Sequence, residues 1–126
     1  MTSISKIKEV FEINFFSQLL LTQFVSRIMV KHRKGSIINI TSIAGIDGLP
    51  GYSAYGTSKA AFNYATKTIA KELAEHGVRV NAIAPGLTET KMADLMEYSA
   101  KESMINSSAM QRLGKPIEIA NTALFL

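Results

Sequence analysis

The chain has 126 residues, 47% of them hydrophobic and 19% charged, with a net charge of +4 and no cysteine. That length gives one small domain rather than two, and the composition excludes a disordered chain; without cysteine there is neither a disulfide framework nor a thiolate metal site. The basic balance raises the question of nucleic acid, but the densest basic run, Lys31-His32-Arg33-Lys34, has no interleaved aromatic and closes an apolar-periodic stretch, where cations complement the carbonyl end of a helix.

From Ser5 to Lys34 the apolar residues Val10, Ile13, Phe16, Leu20, Phe24 and Ile28 recur at steps of three and four, which predicts one long helix with that face buried. Ser17, Gln18, Thr22, Gln23, Ser26 and Arg27 interrupt the apolar run, making it too polar to span a bilayer, and there is no signal-peptide pattern. Gly35 is expected to stop the helix. The β-branched run Ser36-Ile37-Ile38-Asn39-Ile40-Thr41 predicts a strand covered on both faces. Residues 43–52 form a loop punctuated by Gly45, Gly48, Pro50 and Gly51. A second helix runs from Ser53 to about Glu75 with Phe62, Ala65, Ile69 and Leu73 on one side, and Gly77 stops it. Val78–Ile83 is the next strand, closed by Pro85-Gly86.

Strand, helix and strand with short connections make a βαβ unit with parallel pairing. A Met-, Ser- and Glu-rich stretch follows, with short helices expected between Thr90 and Met110, and Pro116 opens a last helix as a first-turn residue. That helix runs into Leu124-Phe125-Leu126 with no capping residue, and two strands are too few for an open α/β sheet. The chain therefore reads as a piece of a longer protein or a shortened reading frame.

Ligands of open α/β sheets bind beyond the carboxyl ends of the strands. That rule selects Thr41-Ser42 after the first strand and Pro85-Gly86-Leu87-Thr88-Glu89-Thr90 after the second. The intervening helix carries Tyr55 and Lys59, whose spacing puts them side by side on one face. An ammonium ~5 Å from a phenolate, at an effective dielectric of about 20, favours the anion by ~3 kcal/mol. A Tyr/Lys pair is thus a plausible acid/base device near neutrality, and the Ser42 hydroxyl can hold and polarise a carbonyl. Singly, each feature is ordinary: a surface Tyr/Lys pair, a turn serine, a solvated Asn14, a Pro-Gly turn. Their joint occurrence carries the reading.

Together these residues resemble the short-chain dehydrogenases/reductases. Tyr55-Gly56-Thr57-Ser58-Lys59 is similar to the family's YxxxK signature, with Ser42 at the family's spacing inside Asn39-Ile40-Thr41-Ser42-Ile43-Ala44-Gly45. Asn14 in Glu12-Ile13-Asn14-Phe15 resembles the helix asparagine of the catalytic tetrad, and Asn81-Ala82-Ile83-Ala84-Pro85-Gly86 the strand and PG motif beside the nicotinamide. Arg112-Leu113-Gly114-Lys115-Pro116-Ile117-Glu118-Ile119-Ala120 is similar to a stretch of the 3-oxoacyl-acyl-carrier-protein reductase branch.

The resemblance implies an α/β fold: a partial Rossmann-like unit of a doubly wound parallel sheet, ordered helix–strand–helix–strand–helix, within one partial catalytic domain over residues 1–126. The N-terminal dinucleotide-binding half and the last strand are lacking, and none of the eight glycines forms the Gly-rich turn that receives a pyrophosphate. Tyr55 would be general acid in reduction and general base in oxidation. Lys59 would support it and bond the nicotinamide ribose, Ser42 would orient the carbonyl or alcohol, and Asn14 would hold a water linking Lys59 to a proton relay. Pro85 and Gly86 would lie beside the nicotinamide, with Thr88 and Thr90 meeting its carboxamide. The segment Leu87 to Met110 would be the substrate loop, its methionines either a pliable wall or core filler.

The cofactor expected is NADPH in preference to NADH, and the substrate a small carbonyl compound or acyl thioester. A homo-oligomer, dimer or tetramer, through the helices carrying Asn14 and Tyr55 is expected, in the cytoplasm, with no nucleic-acid, membrane or metal partner. The rivals are a non-catalytic interaction module and an unrelated α/β regulatory domain. His32 and His76 sit near helix ends as surface residues, and the triplets at Asn39 and Asn106 are chance matches to a glycosylation site.

Overall fold

Residues 2–126 are described in a computed structural model, which divides into two compact units, one ending at Ala84 and including Leu126, the other Pro85–Phe125. The first unit opens with helix α1, Ile4–Phe11, N-capped by Ser3, whose side chain accepts from the Lys6 amide. A π-helical turn, Glu12–Phe16, joins it to α2, Ser17–His32. Strand β1 is Gly35–Ile40, and a short 3₁₀ turn, Ile43–Gly45, leads on to α3, Ser53–Ala74. Strand β2, Val78–Ile83, pairs parallel with β1 from Gly35↔Val78 to Ile40↔Ile83. The expected βαβ unit is therefore present, with boundaries within a residue of those predicted.

The α2 helix ends differently from expectation. Arg33, not Gly35, closes it, at φ 49 and ψ 35, with its amide bonding Met29 and Val30 carbonyls and the Lys34 amide returning to Met29. Gly35 starts the strand instead. A Cβ there would stand 2.3 Å from the Met29 sulfur, so the glycine lets Met29 lie across the strand. The basic run does sit at the carbonyl end of α2, and the Arg33 guanidinium bonds the Glu75 carbonyl at 2.9 Å.

The core is small. Ile37, Val78 and Val80 are buried, with Val25 and Met29 of α2 and Ile69, Ala70 and Leu73 of α3 packed against them. Phe62 is almost fully enclosed, so the predicted inner side of α3 is correct. The predicted inner side of the first helix is not: Ile13, Phe16, Leu20, Phe24 and Ile28 are 60, 52, 68, 63 and 49% exposed. The inward row is Thr22, Val25 and Met29. The π-helical turn interrupts the regular α-helical phase of this run, and Thr22, a polar residue, marks the true inward face beyond it.

Thr22 is held inside by bonds rather than by oiliness. Its hydroxyl is 2.8 Å from the Gln18 carbonyl and 3.4 Å from Asn39 Oδ1, and Asn39 Nδ2 donates to Thr66 Oγ1 at 2.9 Å. All three residues are buried, and they tie α2, β1 and α3 together. By length and composition the run Ile4–His32 is sufficient to cross a membrane, against the sequence expectation. In this fold it has a protein-facing side, as core helices of globular proteins also have.

The second unit contains α4, Lys91–Asp94, α5, Tyr98–Ser107, and α6, Pro116–Phe125, in agreement with the short helices expected. Thr88 and Gly114 form an isolated parallel bridge. Ala93 is buried, whereas Met92 and Met110 are exposed and fill no core.

Candidate active site

In the first unit Tyr55 and Lys59 lie on α3, Asn14 bonds Ser58 of the same helix, and Ser42 caps a turn seated on it. Thr41 prolongs the strand pairing through its amide and hydroxyl, both bonded to the Ile83 carbonyl at 2.8 and 3.1 Å. Ser42 then leaves the sheet in an extended conformation and N-caps the 3₁₀ turn, its Oγ accepting from the Ala44 amide at 3.2 Å. It is buried. That bond uses a lone pair and leaves the hydroxyl hydrogen to donate elsewhere.

Tyr55 and Lys59 share one side of α3, as their spacing requires. The ammonium lies 5.9 Å from the centre of the Tyr55 ring, and Nζ donates to the carbonyl of Ile40, the last residue of β1, at 3.1 Å. Burial lowers the Lys59 pKa from its ordinary value of 10.5 by penalising the charged form. Tyr52 meets the Tyr55 ring edge-on at 6.1 Å.

Asn14 lies in the π-helical turn, half-buried. It reaches α3 through Ser58, which was not singled out from the sequence. Asn14 Nδ2 donates to Ser58 Oγ at 3.3 Å, and Ser58 Oγ donates to the Tyr55 carbonyl at 2.7 Å. Ser58 has no exposed surface at all. A serine directly before the lysine, three residues after the tyrosine, was the available signal.

Gly45 and Gly56 were also passed over. A Cβ on Gly45 would stand 2.7 Å from the Ala60 nitrogen, and one on Gly56 would stand 2.6 Å from the Ala44 carbonyl oxygen. The 3₁₀ turn is therefore seated directly on α3. An isolated glycine inside a helix is the signal that could have found this contact.

The second unit holds the remaining expected residues. Leu87 and Glu89 bond Gly114 through backbone groups at 2.9 and 2.8 Å, leaving the Thr88 amide without a partner among the described residues. Thr88 Oγ1 donates to the Gly86 carbonyl at 3.1 Å and Thr90 Oγ1 to the Thr88 carbonyl at 3.3 Å. The other side of the bridge is stapled by Arg112, whose two guanidinium nitrogens bond the two Glu118 oxygens at 2.9 and 2.6 Å. Glu118 Oε2 also accepts from the Lys115 amide at 2.7 Å. These bonds to the carboxylate, the Arg112 bond first, lower the Glu118 pKa to about 2.

The family described as enoyl-(acyl carrier protein) reductase matches residues 1–126. The chain belongs to the short-chain dehydrogenase/reductase family. The 3-oxoacyl-acyl-carrier-protein reductase of Thermotoga maritima is 44% identical over 117 residues, which are 93% of this chain and 48% of that one. Among solved structures, ElxO with NADP bound has a TM-score of 0.91 at 30% identity, over 99% of this chain and 52% of that one. An NAD+-bound xylitol dehydrogenase has 0.88 at 32% identity, over 98% and 54%. The chain spans about half the length of the curated relatives it matches.

Proposed function

We propose that the chain carries the proton-transfer residues of a nicotinamide-dependent oxidoreductase that reduces a carbonyl, most specifically a 3-oxoacyl thioester. The observation that carries this is the Tyr55/Lys59 pair on one side of α3, with the ammonium anchored at the carboxyl end of β1. Tyr55 gives its hydroxyl proton to the substrate oxygen in reduction and recovers it in oxidation. Lys59 favours the phenolate that remains. Ser42, with its hydroxyl hydrogen uncommitted, donates to the same substrate oxygen and steadies its developing charge. Asn14, through Ser58, fixes the π-helical turn against the helix that carries the pair.

A bound nicotinamide dinucleotide supplies the hydride. The residues present fit it: the unpartnered Thr88 amide suits a carboxamide oxygen, Thr90 offers a hydroxyl, Pro85 and Gly86 flank them in sequence, and the Lys59 ammonium suits ribose hydroxyls. NADPH is favoured over NADH by the likeness to the reductase branch. The proposed setting is the cytoplasm, and the proposed assembly a homo-oligomer through the helices that carry Asn14 and Tyr55, supported by the exposed apolar row of the first helix.

Tyr55→Phe tests the central assignment in the protein expressed from its complete gene. It should abolish NADPH oxidation with a 3-oxoacyl thioester while leaving the circular dichroism spectrum unchanged. Full activity in that variant refutes the role.

A further inference from the structure

We propose that Gly45 and Gly56 are positioning residues whose reciprocal backbone contact sets where the Ser42 hydroxyl stands relative to Tyr55 and Lys59. The inference rests on the roles given to those three residues above.

The contact runs both ways. A Cβ on Gly45 would lie 2.7 Å from the Ala60 nitrogen, 2.7 Å from the Lys59 carbonyl carbon and 3.0 Å from the Lys59 Cβ. From the helix side, a Cβ on Gly56 would lie 2.6 Å from the Ala44 carbonyl oxygen. The obstructing atoms are mostly backbone, so no side-chain rotation relieves them. Ser42 belongs to the same unit of structure: its Oγ accepts from the amide of Ala44, the residue whose carbonyl faces Gly56. The hydroxyl is thereby connected, through Ala44, to the helix residue directly after Tyr55. On its other side the turn rests on Lys59 itself.

Space, not backbone conformation, explains these glycines. The positive-φ glycines are Gly51 and Gly77, so neither Gly45 nor Gly56 is needed for a left-handed conformation. Gly48, three residues on in the same loop, has nothing within 4 Å of a built Cβ. Inside a helix, glycine is less favourable than alanine, a cost at Gly56 that close packing accounts for.

A methyl group at either position forces the turn away from α3. Tyr55 and Lys59 share that helix and move together, so Ser42 is the group that loses its place. A misplacement of about 1 Å can cost roughly 10²-fold in rate.

The test uses the protein expressed from its complete gene. Gly45→Ala and Gly56→Ala should each lower kcat for ketone reduction by roughly 10- to 100-fold, with KM for NADPH within about twofold and an unchanged circular dichroism spectrum. Gly48→Ala should match the parent enzyme. In a Ser42→Ala background, Gly45→Ala should lower kcat by less than about threefold further, because interacting residues are not additive. Parental kcat in the two glycine variants, or a full additional loss in the Ser42→Ala background, overturns the inference. Should Gly45→Ala fail to fold, Gly56→Ala, which introduces a better helix former, carries the same comparison. An unchanged kcat in Ser42→Ala overturns both this inference and the serine's assignment; an impaired Ser42→Ala beside a normal Gly45→Ala and Gly56→Ala overturns this inference alone.

Discussion

The ammonium of Lys59 donates to the carbonyl of Ile40 at 3.1 Å, joining the helix that carries the tyrosine to the last residue of the strand that delivers the serine. One side chain thus serves as an electrostatic partner on α3 and as a tether to the edge of the sheet.

Removing that side chain should affect both. Lys59→Met is expected to lower kcat by roughly 10²- to 10⁴-fold in stopped-flow assays of NADPH oxidation. Stability should respond too. Burial depresses the Lys59 pKa below 10.5, so the folded state binds fewer protons than the unfolded chain between the depressed value and 10.5. Stability therefore rises with pH across that window and falls as pH drops through the folded value. Urea midpoints measured across alkaline pH should show this slope in the parent and a flatter one in Lys59→Met.

The buried Thr22–Asn39–Thr66 chain predicts an asymmetric response at its centre. Both threonine hydroxyls also bond helix carbonyls, Gln18 and Phe62, at 2.8 Å, so they stay satisfied when Asn39 is removed. Asn39→Leu should cost about 1–3 kcal/mol. Asn39→Asp places a charge in the same site and should cost more, with the loss recovered as the carboxyl protonates. An Asp variant as stable as the Leu variant at pH 7 would contradict the burial of that site.

The Arg112–Glu118 staple makes a prediction at the acid end. The guanidinium holds the Glu118 pKa at about 2, below its ordinary 4.5. Its contribution to folding is therefore complete above pH 4.5 and is lost as pH falls towards about 2. In Glu118→Gln this pH dependence should vanish, and hydrogen exchange at the Glu89 and Gly114 amides should quicken, since both bond across the bridge that the staple supports. Unchanged protection of those amides would separate the staple from the Thr88 segment.

The outward apolar row of the first helix bears on the proposed self-association. Phe24 is mostly exposed and touches no part of the core cluster, so Phe24→Asp should leave the melting temperature of a separated protomer nearly unchanged. In the assembled protein it should lower the mass measured by light scattering. An unaltered mass would move the interface elsewhere.

Much of this protein is decided locally. The β-branched run before Thr41, the Pro at 116 and the helix through Phe62, Ile69 and Leu73 needed only periodicity and terminal signals, because strand pleating and helical turns are properties of neighbouring residues. The i, i+4 spacing of Tyr55 and Lys59 likewise places the pair on one face by helix geometry alone. What the chain alone left open was phase and proximity. A π-helical turn interrupts the first helix, and beyond it Thr22, Val25 and Met29 face inward while the more apolar row faces out. A hydroxyl bonded to a carbonyl of its own helix and facing a strand amide side chain can occupy a core position that hydrophobicity would assign to leucine. The Ile40 tether, the Ser58 link and the close approaches at Gly45 and Gly56 are distances between separate segments, and only the packed chain sets such distances.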